Sequence, residues 1–148
     1  ISGGGNFLDM GLHVIDFLVQ VFGEVKDIQY IKNKTQKYYD VEESYILNLS
    51  FKSGVVGQGA WHSTVSQKLD LMNIYGTKGI IQFSFNFKDK VVIEIGDKKY
   101  IKHFKLQKPA HQDLIKHVVN IFLKSLKKKK RFIDHQSLYV TYLQNKMI

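Results

Sequence analysis

The order of apolar and polar positions divides the chain into a helix, a long run of strands and two further helices. Residues 5–22, GNFLDMGLHVIDFLVQVF, span about five helical turns, follow a glycine run and stop at Gly23, a natural helix-ending glycine. From Val25 to Phe104, β-branched and aromatic residues punctuated by turn signals predict strands near 25–33, 42–52, 55–63, 67–75, 79–87, 90–95 and 99–105. The short segments Lys52-Ser53-Gly54, Gly76-Thr77-Lys78-Gly79, Lys88-Asp89-Lys90 and Gly96-Asp97-Lys98 read as hairpin turns, which makes the strands an antiparallel meander. After Pro109, residues Leu114, Ile115, Val118, Val119, Phe122, Leu123 and Leu126 recur at the i, i+3, i+4, i+7 spacing of an amphipathic helix, and a last helix is expected over 136–147.

Two strands show what the sheet faces are for. Tyr45, Leu47, Leu49 and Phe51 alternate with Ile46, Asn48, Ser50 and Lys52, and Ile81, Phe83, Phe85 and Phe87 alternate with Gln82, Ser84, Asn86 and Lys88. The apolar face needs helices over it. The other face is polar but nearly uncharged, which points to cover by another chain or domain, an ordinary wet face being the alternative. The predicted fold is α+β: an open, predominantly antiparallel sheet with helices on one face.

Composition narrows the class. The 148 residues carry 44% hydrophobic content, one Pro and no Cys, which suits a single globular domain and excludes disulfide scaffolds, zinc ribbons and thiol nucleophiles. No apolar run approaches the roughly 20 residues of a membrane span, and no signal-peptide pattern opens the chain, so a cytoplasmic protein is expected. Ile1 leads in place of Met, as in a portion of a longer protein. The net charge of +9 invites a nucleic-acid reading, yet Lys124, Lys127, Lys128, Lys129, Lys130 and Arg131 supply six of those charges. No recognition motif and no interleaved aromatic residue accompanies that run, so neither nucleic acid nor membrane is expected as a partner.

The chemistry concentrates in the first helix. At 100° per residue, Asp9, His13, Asp16 and Gln20 share a stripe roughly 60° wide, while apolar side chains cover the rest of the circumference except at Gly11. Such a helix is expected to be buried nearly all round, so its ionisable groups must be paired or line a cavity. Two carboxylates flank one imidazole at i−4 and i+3, an arrangement that fixes the ring's tautomer as a general acid/base requires. The competing explanations are a self-satisfied internal network and a metal site, the second weakened because no second His lies on that face. Gly3-Gly4-Gly5 just before the helix permits close backbone approach by a ligand, or simply a tight turn.

The run from Ser2 to Asp16 resembles the GGG-x-x-x-D-x-G-x-H-x-x-D signature that opens the C-terminal domain of the Gfo/Idh/MocA oxidoreductases, the glucose-fructose oxidoreductase and inositol dehydrogenase family. Weaker resemblance continues through Val41-Glu42-Glu43-Ser44, Phe51 to Gly57, Ile74-Tyr75-Gly76-Thr77-Lys78-Gly79 and the helix near His111. The resemblance implies an NAD- or NADP-dependent transfer of hydride to or from a sugar or cyclitol. It assigns His13 as proton acceptor and Asp9 as the group that positions substrate and imidazole, with Asp16 supporting the helix. Asn6, Trp61 and His62 are carried as substrate contacts, Trp61 by aromatic stacking on a sugar. The family's Gly-rich fingerprint and E-K-P lysine belong to an N-terminal Rossmann domain with no counterpart here, and Gly54-Val55-Val56-Gly57-Gln58-Gly59 is strand-like and opens no helix. The expected role is therefore a substrate-binding and oligomerisation domain, self-associating through its polar sheet face and inactive alone. A non-catalytic binding or dimerisation domain of the same fold is the closest alternative, a basic nucleic-acid-binding module a more distant one.

Overall fold

Gly23 ends the first helix where expected, with a φ of 86° and its N–H on the Val19 carbonyl at 2.9 Å, backbone geometry that glycine adopts without a Cβ penalty. The computed structural model describes residues 5, 7–34, 38, 41–85, 89–105, 112–128 and 135–147. The helix begins differently from a plain α-helix: Phe7–Gly11 is a π turn, and α1 runs Leu12–Phe22. Strands follow at Val25–Asn33 (β1), Ser44–Phe51 (β2), Val56–His62 (β3), Met72–Gly76 (β4), Gly79–Phe83 (β5), Lys90–Ile95 (β6) and Lys98–His103 (β7). Gln112–Lys128 (α2) and His135–Met147 (α3) complete the chain.

All strand pairs are antiparallel, in two sheets ordered β1-β2-β3 and β4-β5-β6-β7. The chain divides into two compact units, residues 1–66 with 133–148, and residues 67–132. The α+β class and the antiparallel hairpins follow the sequence reading, but the strands form two separate meanders, β1–β3 and β4–β7, where one open sheet was expected. The fifth predicted strand is shorter, ending at Phe83, with residues 86–88 outside the described set.

In the first unit, Tyr45, Leu47, Leu49 and Phe51 of β2 are buried under α1 and α3. Ile15 is the buried centre of α1, with Leu12, Leu18, Val19 and Phe22 packed around it at the i−3, i+3, i+4 and i+7 positions of one helical face. Tyr139, Leu143 and Met147 recur every four residues and bring α3 onto the same core. Burying each large side chain stabilises the unit by about 1.5–3 kcal/mol. The expectation that α1 is buried nearly all round fails: Val21 is half exposed, and Asp9, His13 and Gln20 are exposed. One sheet face and one neighbouring helix cover only part of a helix's circumference.

The outer face of this sheet presents Gln29 opposite Asn48 and Asn48 opposite Gln58, with Ile31 opposite Ile46. Gln58 donates to Asn48 at 3.1 Å, and Ile31 is 69% exposed. In the second unit Val92 is buried, Gln82 donates to Asn73 at 3.0 Å across β4 and β5, and Ser84 donates to Asp70 at 2.7 Å. Leu114, Ile115, Val118 and Phe122 of α2 are exposed.

Candidate active site

The first turn of helix is anchored by aromatic packing. The Phe7 ring stacks on Tyr45 with centroids 3.8 Å apart and planes 2° from parallel, and meets Trp61 edge-on at 5.0 Å. Tyr30 also stacks with Tyr45, its centroid 5.5 Å away. The same Phe7 ring lies against Gly11, where an added Cβ would sit 2.4 Å from a ring carbon. The glycine of the D-x-G-x-H spacing is thus the space into which Phe7 folds.

This anchoring turns the stripe outward. Asp9, whose N–H bonds to the Gly5 carbonyl at 3.3 Å, sits in the π turn and is exposed, as is His13 one turn later. A π turn advances fewer degrees per residue than an α-helix, so the offset of Asp9 from His13 is smaller than the α-helical count gives. Neither side chain has a hydrogen bond or ion pair among the described residues, which leaves both available to a ligand. Asp16 is engaged differently. Its Oδ1 accepts from Gln136 of α3 at 2.7 Å and its Oδ2 from Gln20 at 3.1 Å. The competing explanation, a self-satisfied Asp–His–Asp network, is not formed: Asp16 ties α1 to α3, while Asp9 and His13 face out.

The other expected site residues separate. Trp61 lies on the inner face of β3, opposite Tyr45 and beneath the π turn. His62, its neighbour, points to the outer face, where Nδ1 and the Ser44 hydroxyl are 3.1 Å apart. Strand alternation puts adjacent residues on opposite faces, so His62 does not share the Asp9/His13 face. Asn6 lies outside the described residues, as do Gly3 and Gly4. Gln136 escaped the sequence reading and carries no signal there, whereas Tyr45 was marked as inward-facing by its alternation.

No cluster of three potential metal ligands occurs among the described residues, and no helix among them is long and apolar enough to cross a membrane. A strand-to-helix anion site is also missing along Gly54–Gly59, where Gly54 turns at φ 87° and the chain then enters β3.

The first unit is thus an α+β fold that carries an exposed carboxylate–imidazole pair at the start of its first helix. Residues 1–82 match the GFO/IDH/MocA C-terminal domain, and the chain belongs to that family. Oxidoreductase P35 of Formosa agariphila is 33% identical over 127 residues, covering 83% of this chain and 37% of the relative. The chain thus spans little more than a third of that oxidoreductase's length. Among solved structures, a levoglucosan dehydrogenase in complex with NADH and levoglucosan superposes with a TM-score of 0.61 at 20% identity, over 70% of this chain and 32% of that one. An oxidoreductase from Agrobacterium radiobacter in complex with NAD+, L-tartaric acid and magnesium gives 0.67 at 15% identity, over 93% and 44%.

Proposed function

We propose that this chain is the substrate-binding portion of an NAD- or NADP-dependent oxidoreductase acting on a hydroxyl of a sugar or cyclitol. The observation that carries the reading is the division of labour on one helical stripe, with Asp16 tied to Gln136 while Asp9 and His13 are exposed and unengaged. A structural network would have satisfied all three.

Asp9 and His13 are exposed and offer a proton acceptor and a hydrogen-bond acceptor to a substrate hydroxyl, whereas the Gly54–Gly59 segment, a turn at Gly54 leading into β3, presents no helix N-terminus to a dinucleotide's phosphates. A separate N-terminal nucleotide-binding domain supplies that function in this reading, and the 148 residues alone are inactive. The nicotinamide, when bound, supplies the hydride acceptor. His13 accepts the hydroxyl proton as the substrate's C–H bond breaks, and returns it in the reverse direction. Asp9 accepts a hydrogen bond from the substrate hydroxyl or from the imidazole and so fixes their mutual orientation. Trp61 offers an aromatic edge nearby; His62 faces away and takes no part.

The nearly uncharged outer face, where Asp27 stands beside the Gln29–Asn48–Gln58 row and Ile31 faces Ile46, is the surface through which copies of the protein associate. Ile46→Lys should convert the oligomer to monomer in sedimentation velocity, and an unchanged sedimentation coefficient would remove that face as the interface.

The activity itself is tested by incubating the full-length protein with NAD+ or NADP+ and a panel of anhydrosugars, hexoses and inositols, levoglucosan among them, and following reduced cofactor at 340 nm. Turnover of at least one polyol is expected. No reduction with any member at any pH from 6 to 10 would refute the assignment.

A further inference from the structure

Glu42 stands outside this machinery, and its surroundings are peculiar. Its Oε1 is enclosed and has no hydrogen-bond partner among the described residues. The carboxylate lies against the Cα of Gly5: a Cβ built there would be 2.2 Å from Oε1, 2.3 Å from Cδ and 2.7 Å from Oε2. All three atoms therefore occupy the volume a Gly5 side chain would need.

The contact links two parts of the first unit. Behind Glu42 the chain is fixed to both neighbouring strands, since the Glu43 N–H bonds to the Asn33 carbonyl at 3.0 Å and the Glu43 carbonyl accepts the Ser63 N–H at 2.8 Å. Ahead of it, buried Gly5 offers its carbonyl to the Asp9 N–H at 3.3 Å. A path of direct contacts thus runs from the sheet through the Glu42 carboxylate and Gly5 to Asp9. An enclosed carboxylate oxygen with no donor is unfavourable by itself, so the hydrogen bonding of Oε1 does not account for a Glu at this place. Its shape does: the planar carboxylate fills the space beside Gly5 that a Cβ there would otherwise take.

We propose that Glu42 is a positioning residue for Asp9, its carboxylate wedged against Gly5 to set where the π turn starts and hence where Asp9 stands relative to His13. The proposal rests on the reading of Asp9 and His13 as the reacting pair. It makes Gly5 the partner of a particular side chain and not merely a flexible position. Because the wedge acts by shape, Gln serves as well as Glu, and Ala does not.

The test uses Gly5→Ala, Glu42→Ala, Glu42→Gln and the Gly5→Ala/Glu42→Ala double variant of the full-length protein. Two quantities are followed: hydrogen exchange of the Asp9 amide, which reports its bond to Gly5, and kcat and KM for the polyol panel with NAD+. Gly5→Ala and Glu42→Ala should each speed Asp9 exchange at least tenfold and lower kcat at least tenfold, with KM for NAD+ within twofold. Glu42→Gln should restore both to within threefold of the parent. In the double variant the new Cβ fills the vacated space, so Asp9 exchange should be slower than in either single variant. Unchanged Asp9 exchange in the two single Ala variants, Glu42→Gln behaving like Glu42→Ala, or additive effects in the double variant would each overturn the wedge. If no polyol is turned over, the catalytic reading fails while Asp9 exchange still decides the wedge.

Discussion

The Tyr139 hydroxyl accepts the Val25 N–H at 2.9 Å and donates to the Val25 carbonyl at 3.2 Å. One side chain of α3 thereby satisfies both backbone groups of the residue that opens β1, just before the register shift between Val25 and Asp27. Tyr139→Phe keeps the packing but strands a buried donor and acceptor, and should cost about 1–3 kcal/mol. Urea unfolding of the 148-residue chain, followed by fluorescence of its single Trp, checks this: the midpoint should fall with the slope unchanged. A midpoint equal to that of the parent would mean that water replaces the hydroxyl without loss.

The stripe on the first helix predicts unequal roles for residues of like chemistry. On the proposed reading, His13→Asn in the full-length protein should lower kcat by about a hundredfold or more, the scale of a lost proton acceptor. Asp9→Asn should fall between His13→Asn and the parent, because an amide still accepts a hydrogen bond. Asp16→Asn should keep turnover within about threefold, since its oxygen can still accept from Gln136, and cost about 0.5–1.5 kcal/mol of stability. Steady-state kinetics beside thermal melts separates the three. Equal kcat losses at Asp16 and His13 would show that the tie to α3 is part of the chemistry.

Gly11 and Phe7 predict a steric effect. A Cβ at Gly11 would stand 2.4 Å from the Phe7 ring, so Gly11→Ala must push that ring off Tyr45 or distort the π turn. Overpacking of this kind costs about 1–3 kcal/mol. The near-ultraviolet circular dichroism of the Phe7–Tyr45–Trp61 cluster should weaken, and Phe7→Leu added to Gly11→Ala should recover part of the lost stability. An unaltered spectrum in Gly11→Ala would show that the ring has room to move.

Much of this was legible because it depends on local periodicity. The inward set Tyr45, Leu47, Leu49 and Phe51 follows from a period of two, and the end of α1 follows from what glycine alone does cheaply at φ 86°. The opposite placement of Trp61 and His62 was available from the same alternation once Trp61 is paired with Tyr45. The π turn was not legible, because it arises from Phe7 reaching Tyr45 and Trp61 across more than thirty residues of sequence. Nor was the exposure of Asp9 and His13, since an apolar circumference tells what a helix can bury and not how many neighbours it receives. Gln136 holds Asp16 from the far end of the chain, a pairing with no short-range signature.

Tyr45 predicts how the first unit fails in alkali. Burial first, then the charges of Tyr30 and Glu42, hold its phenol well above the ordinary range of about 10. The hydroxyl also lies 3.3 Å from the Met147 carbonyl, a bond that needs the proton in place. Below about pH 10 both folded and unfolded chains keep this proton, and Tyr45 adds no pH dependence. As pH rises past that value the unfolded chain releases the proton while the folded chain retains it. Stability must then decline, by up to about 1.4 kcal/mol per pH unit from this group alone. Tyr45→Phe should be less stable at pH 8, having lost the bond to Met147, yet its stability should fall less steeply between pH 10 and 11.5. Lysine titration contributes equally to both proteins and cancels in the difference. Urea midpoints at half-unit intervals measure the two slopes; identical slopes would mean that the phenol ionises as readily in the folded chain as in the unfolded one.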